Sequence, residues 1–445
     1  MKEFISDRFL LEDGLAAELY GCVKDLGAVD YHNHLDPASM ATDRHYSNIA
    51  RLWVISDPYK HRAMRMCGVP ERLITGDADD FEKFLAWADV CPKTLGGPLF
   101  HWSALEMKRV FGIDEMLTSG NAREIWGFCN SRLGEGGLSC NDILNGFNAE
   151  YLCTSDDFRD DVSVHTDASG KGFKVCPSLR ADSILTFPGE YPTLDEYLDF
   201  VQTRLDVFDE SGCRLADHAI DGGFHYDEVS REKASCIYLD RKVADDGAIS
   251  ALKSYVLSWL IKEYAHRGWV LQLHIGAQRQ TSSRLRALAG PAGGYASIGS
   301  CCDITSLCRL LDEAECHGAL PRTILYTLNP ADNAAFATLC GSFSAEDGMP
   351  KIQFGPAWWY NDHKYGMESH LEVISSYGLL STFIGMTTDS RSFLSLSRHE
   401  YFRRILCSWI AEKVRKGEFP EDLDLLAGTV RGIAHDNARA WIFGK

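Results

Sequence analysis

Two rhythms alternate along this chain. Short apolar runs read as buried strands. Between them lie longer stretches whose apolar residues return every three to four positions, the period of a helix packed on one side. The runs fall at residues 28–31, 151–154, 173–176, 214–217, 269–274, 323–328, 351–354 and 382–387. Helical stretches fill 193–209, 248–266, 304–316, 331–340 and 366–377, and residues 7–24 place Phe9, Leu10, Leu15, Ala16, Leu19 and Tyr20 on one side of a further helix. Thr193-Leu194-Asp195-Glu196 and Ser397-Arg398-His399-Glu400 have the spacing of capping boxes. Alternation of strand and helix implies a parallel sheet, and eight such units fit a (β/α)8 barrel better than an open sheet.

One block breaks the rhythm. Residues 36–147 show helical periodicity with little strand signal. Asp79-Asp80-Phe81-Glu82 opens a helix running to about Asp89, and a second over 121–133 is ended by Gly134, Gly136 and Gly137. The expected organisation is an N-terminal helix and first barrel strand in residues 1–35, a helical insertion in 36–147, and the remainder of the barrel in 148–445. The stretch Gly290-Pro291-Ala292-Gly293-Gly294-Tyr295 has neither dinucleotide nor P-loop spacing and reads as a flexible connection rather than a lid.

Composition narrows the function classes. The chain has 445 residues, 45% of them hydrophobic and 24% charged, which is ordinary globular usage and enough for a large core. No apolar run is long enough to suggest a membrane span, and Met1–Arg8 lacks the basic and apolar regions of a signal peptide. The 15 cysteines are odd in number and contain no Cys-x-x-Cys, so they read as reduced thiols of a cytoplasmic protein rather than a disulfide framework or a cysteine zinc site. A net charge of −18 argues against nucleic acid or an anionic membrane as partner. An acidic substrate would then need arginines inside the site to capture it locally.

The candidate chemistry sits where the predicted strands end, because a barrel gathers those ends on one face. His32 and His34 close the first strand. Positions i and i+2 of a strand share a face, so two imidazoles project together toward one divalent metal ion. Arg180 follows the third strand, His218 the fourth, His274 ends the fifth, Asn329 the sixth, Trp358-Trp359 follow the seventh, and Asp389 and Arg391 the eighth. Each has an ordinary structural reading as well: a core histidine, a surface arginine, a barrel-rim tryptophan, a capping aspartate. Their convergence is what favours a site.

The residues that carry this convergence resemble the amidohydrolase superfamily and, within it, the uronate isomerase (glucuronate isomerase) family. The matching stretches span nearly the whole chain: Asp30-Tyr31-His32-Asn33-His34-Leu35, Tyr59-Lys60-His61-Arg62, Lys174-Val175-Cys176-Pro177-Ser178-Leu179-Arg180, His274-Ile275-Gly276-Ala277, Trp358-Trp359-Tyr360-Asn361-Asp362 and Thr388-Asp389-Ser390-Arg391. The resemblance implies a distorted (β/α)8 barrel with a helical insertion after strand one. It implies interconversion of D-glucuronate with D-fructuronate and of D-galacturonate with D-tagaturonate. It implies one divalent metal, usually zinc, on His32, His34 and Asp389, with Tyr59, Arg180, His274 and Arg391 lining the site. The expected partners are a small-molecule hexuronate and further copies of the chain in a homo-oligomer.

On this reading Asp389 is both ligand and proton shuttle, Arg391 and Tyr59 donate to the enediolate oxygens, Arg180 is the candidate for the substrate carboxylate with the split between Arg180 and Arg391 left open, His274 orients a hydroxyl or helps open the sugar ring, and Trp358 lines the sugar site. The chain departs from the superfamily's hydrolases, which carry a bridging Lys or carboxylate at strand four and a histidine at strand six. His218 and Asn329 stand there, which disfavours a two-metal site. The alternative is a metal-dependent hydrolase of the same superfamily acting on a sugar-acid lactone or amide.

Overall fold

Seven of the eight apolar runs become strands of one curled parallel sheet. A computed structural model describes residues 4–220, 224–291, 293–344 and 350–444. The strands are β1 (Ala28–Asn33), β2 (Ala149–Asp157), β3 (Lys174–Arg180), β4 (Leu215–Ile220), β5 (Val270–Ile275), β8 (Thr323–Thr327) and β9 (Ile352–Phe354). They pair in the order β1-β2-β3-β4-β5-β8-β9, and a two-stranded antiparallel hairpin, β6 (Ala277–Gln278) and β7 (Ser297–Ile298), stands after β5. Val29, Tyr31, Cys153, Leu215, Val270, Ile324 and Tyr326 fill the interior. The outer face packs on helices that include Leu194–Glu210, Asp246–Arg267 and Ile304–Cys316, as strands buried on both sides require. The architecture is a distorted (β/α)8 barrel, and the described residues between β1 and β2 form helices but no strand.

The eighth position is a correction. Residues 382–387 do not form a strand. Thr382 closes a 3-10 turn, and the chain from there to Asp389 is kinked by two left-handed residues, Gly385 (φ 69°) and Asp389 (φ 49°). A side chain on Gly385 would place its Cβ 2.0 Å from the Ile433 carbonyl oxygen, so the segment passes closer to its neighbour than any other residue allows. Polar side chains complete the join to β1. The His32 amide donates to Thr387 Oγ1 (2.8 Å) and the Thr388 amide to Asp30 Oδ1 (2.6 Å). The Asp389 amide reaches the His32 carbonyl (3.0 Å) and the His34 amide the Ser390 carbonyl (2.8 Å).

Two further expectations fail for local reasons. The helix expected over 7–24 forms only at Gly14–Gly21, because Leu10 is left-handed (φ 57°) and Asp13 is extended, capping the helix by accepting from the Ala16 amide. Ser397 makes no capping bond. A 3-10 turn, Phe393–Ser397, runs straight into the helix Arg398–Arg415, and the Glu400 carboxylate is held by Arg109 and Arg404 instead.

Candidate functional site

The parity of β1 decides what its histidines can do. Asp30 pairs with Leu152 and Asn33 with Thr154, so β1 carries one more residue than β2 across this step. Such a bulge re-aims side chains. Val29 and Tyr31 point into the barrel below it, and His32 and His34 line the cavity above it. Strict alternation would have sent one of these pairs outward.

His32, His34 and Asp389 meet at the C-terminal rim. Asp389 Oδ1 lies 3.4 Å from His32 Nε2 and 3.1 Å from His34 Nε2, and Asp389 Oδ2 accepts from Trp358 Nε1 at 3.0 Å. Burial opposes the Asp389 charge, but hydrogen bonds from both imidazoles hold its carboxyl well below the usual range. Burial pushes His34 down to about 4. A neutral imidazole and an ionised carboxylate are the forms that bind a metal. The ligand atoms of the three residues lie within 4.8 Å of one another, and His32 Nδ1 is buried without a hydrogen-bond partner. Two imidazoles and one carboxylate are the donor set of a divalent transition-metal site with open positions, so the residues present fit such an ion.

A second trio, His32, Asp217 and His274, also places its ligand atoms within 4.8 Å. Asp217 escaped the sequence reading, which took His218 as the residue of interest at this strand. Inward residues of β4 are Leu215, Asp217 and Ala219, whereas His218 points outward to the Tyr264 hydroxyl (3.0 Å). Counting in twos from Leu215 was the available signal. The inward carboxylate at strand four also removes the basis on which His218 was taken to disfavour a second cation. Asp217 is fully buried, which raises its carboxyl pKa, and it accepts from Ser155, Ser178 and Arg180.

His32, His34, Tyr59, Arg180, His274, Trp358, Asp389 and Arg391 all border one cavity of about 540 Å³, within the range of small-molecule sites, whereas the candidates His218 and Asn329 do not. His274 stacks on Tyr326 with ring centroids 4.4 Å apart, its Nε2 has no partner, and burial holds its pKa well below the usual value. Arg180, the sequence candidate for a substrate carboxylate, is already engaged by Asp182 (2.8 Å) and Asp217 (3.3 Å). Arg391 makes no hydrogen bond or ion pair with any described residue. Trp359 and Arg279, the latter not singled out from sequence, complete the wall. Asn329 instead caps the turn after β8, accepting from the Ala331 amide.

The glycine-rich stretch at 290–295 forms part of this wall rather than a free connection; Ala292 lies outside the described residues. A Cβ on Gly294 would sit 2.2 Å from the Pro58 carbonyl oxygen, so the loop packs directly on the helix Pro58–Met66 that presents Tyr59. Just beyond it, the Ala296 carbonyl accepts from Arg62 (3.0 Å) and Tyr360 (2.6 Å). All 15 cysteines are free thiols, and no helix among the described residues is long and apolar enough to cross a membrane.

Comparison with known proteins spans nearly the full chain. A family model described as glucuronate isomerase matches residues 1–442. The uronate isomerase of Vibrio vulnificus is 42% identical over 99% of both chains, and that of Caldanaerobacter subterraneus subsp. tengcongensis is 40% identical over 99% of this chain and all of its own. The crystal structure of uronate isomerase from Thermotoga maritima superposes with a TM-score of 0.92 at 30% identity, covering 99% of this chain and 100% of that one. These matches do not favour the hydrolase alternative. The chain belongs to the glucuronate isomerase family.

Proposed function

We propose that this protein is a metal-dependent aldose–ketose isomerase that interconverts D-glucuronate with D-fructuronate and D-galacturonate with D-tagaturonate through an enediolate. The observation that carries the reading is the meeting of His32, His34 and Asp389 at the mouth of a cavity that also holds Arg391, Tyr59 and His274. His32, His34 and Asp389 would hold one divalent ion, zinc on the family resemblance, whose chemistry when bound is Lewis-acid polarisation of the carbonyl.

The chain's own groups do the rest. The barrier to leaving an aldose carbon 2 as a carbanion falls only if charge on the developing oxyanion is matched as it forms. Asp389, oriented by Trp358, carries the proton from carbon 2 to carbon 1. Tyr59 and the guanidinium of Arg391 face that same space as donors. His274, kept neutral by burial, offers an imidazole nitrogen to a sugar hydroxyl or the ring oxygen. For the substrate carboxylate, Arg391 is a stronger candidate than Arg180. Two carboxylates already surround Arg180, and a third anion there would be repelled. The 15 free thiols support a cytoplasmic setting.

The test is direct. Zinc-loaded protein is incubated with each hexuronate in heavy water and followed by NMR. Ketose formation with deuterium entering at carbon 1 is expected. Opening of a sugar-acid lactone with no ketose from either hexuronate would overturn the reading.

A further inference from the structure

A tyrosine hydroxyl has a single proton, and in this site it is already directed elsewhere. Tyr59 Oη lies 2.7 Å from Asp362 Oδ2, donating to it when that carboxyl is ionised. In that arrangement the phenol can only accept from a ligand; it has nothing left to give to an oxyanion. The carboxyl that holds the proton stands behind the cavity wall. Asp362 is 4% exposed and does not border the cavity. It follows the short turn Trp359–Asn361, while Tyr59 comes from the helix Pro58–Met66, so two distant stretches of chain meet at this bond.

The surroundings of Asp362 are built for a carboxyl that gains and loses a proton. Arg398, 2% exposed, places Nη1 3.7 Å from Asp362 Oδ2. The same guanidinium lies over the rings of Trp102 (3.9 Å) and Tyr59 (4.9 Å), and Nη1 donates to the Thr388 carbonyl (3.0 Å). The arginine is thus fixed at the longer end of ion-pair range rather than locked bidentately on the carboxylate. Its charge can match Asp362 when ionised without forbidding protonation. Burial, partly opposed by Arg398, pushes the Asp362 carboxyl up to about 7, and burial holds the Tyr59 phenol well above its usual range, so the phenol stays protonated.

We propose that Asp362 is a positioning residue that reloads Tyr59, forming a two-step proton relay from Asp362 through the Tyr59 hydroxyl to the substrate oxyanion. The proposal rests on the isomerase reading above. As negative charge grows on the carbonyl oxygen at carbon 1, the Tyr59 O–H bond breaks toward it. In the same movement the Asp362 O–H bond breaks and its proton passes to the Tyr59 oxygen. The carboxylate left behind faces Arg398. When the carbonyl re-forms at carbon 2, the proton of that hydroxyl returns through Tyr59 to Asp362. No proton or electron is gained or lost over a turnover, and the relay never opens to bulk water because Asp362 is buried.

A double-mutant cycle tests the relay apart from the reading it rests on. Tyr59→Phe and Asp362→Asn are made singly and together, and kcat and KM for ketose formation are measured on protein shown to be folded by its thermal transition. Asp362→Asn is expected to lower kcat by about 10²-fold with KM within about threefold. In the Tyr59→Phe background the same change is expected to cost less than about threefold. Asp362→Glu, which restores a carboxyl, should recover part of the lost kcat. Equal losses in both backgrounds, or an Asp362→Asn protein with wild-type kcat, would overturn the relay. Should Asp362→Asn not fold, the wild-type protein carries the test: kcat in mixtures of light and heavy water should bow with the deuterium fraction, and a straight line would overturn two protons in flight. Ketose formation by the wild type bears on the isomerase reading alone, so the two ideas fail separately.

Discussion

Both rims of the barrel carry a histidine among carboxylates and arginines, yet the two clusters are finished differently. At the N-terminal rim, where β2 begins, His435 Nε2 meets Glu150 (2.7 Å) and Nδ1 meets Asp436 (2.6 Å). Arg439 pairs with Glu150 and Arg431 with Asp436, so each charge has its opposite. At the C-terminal rim, His32 Nδ1 and His274 Nε2 are buried without partners, and Arg391 faces the cavity with no ion pair to a described residue. Residue type alone does not separate a brace from a site. What sets the upper cluster apart is that its unpartnered atoms belong to residues lining the cavity, whereas other buried unpartnered atoms, such as Arg403 Nε, lie away from it.

The largest test of this contrast is Asp389→Asn. Isosteric loss of the charge at the upper cluster should lower ketose formation by about 10²–10⁴-fold, the range for removing a positioned acid–base group, with the thermal transition nearly unmoved. Wild-type turnover in that variant would erase the distinction between the rims.

The two arginines sharpen the contrast within the upper rim. Arg391→Met should reduce kcat/KM for uronates by about 2–5 kcal/mol, mostly through KM, as expected when a charged ligand group loses its partner. Arg180→Met should have the smaller effect on KM but lower stability by about 1–3 kcal/mol, because it leaves buried Asp217 without its cation. Denaturant titrations and kinetics on both variants decide this. A larger KM effect at Arg180 would reverse the assignment.

The smallest expected effect lies at the lower rim. His435→Ala should cost about 1–2 kcal/mol of stability through its two lost hydrogen bonds, with kcat per folded molecule within about twofold of wild type. A large loss of kcat in stable protein would make that cluster something other than a brace.

Much of this was legible in the sequence where local physics repeats. Strand ends showed themselves because apolar runs stop where polar residues begin, so His32, His34, Arg180, His274, Asp389 and Arg391 could be placed together before any coordinates. What stayed hidden depends on parity and on tertiary bonds. His218 draws the eye, but the inward residue is Asp217, one position away, and only the period of two from Leu215 distinguishes them. The bulge in β1 has no local signature, because it is imposed by pairing with β2 and by the side chains that replace a ladder at the seam. The eighth run reads as a strand from composition, and the left-handed residues that kink it reflect contacts with Ile433 and β1 that lie far away in the chain.

That seam sets when the protein can first act during its synthesis. The His32 amide is tied to a hydroxyl 355 residues further on, and the aspartate beside both histidines comes later still. A ribosome must therefore release the chain at least as far as Asp389 before the ligands can assemble. Prematurely terminated fragments would retain the imidazoles yet have no competent centre, and long-range closure of this kind is among the slower events in folding.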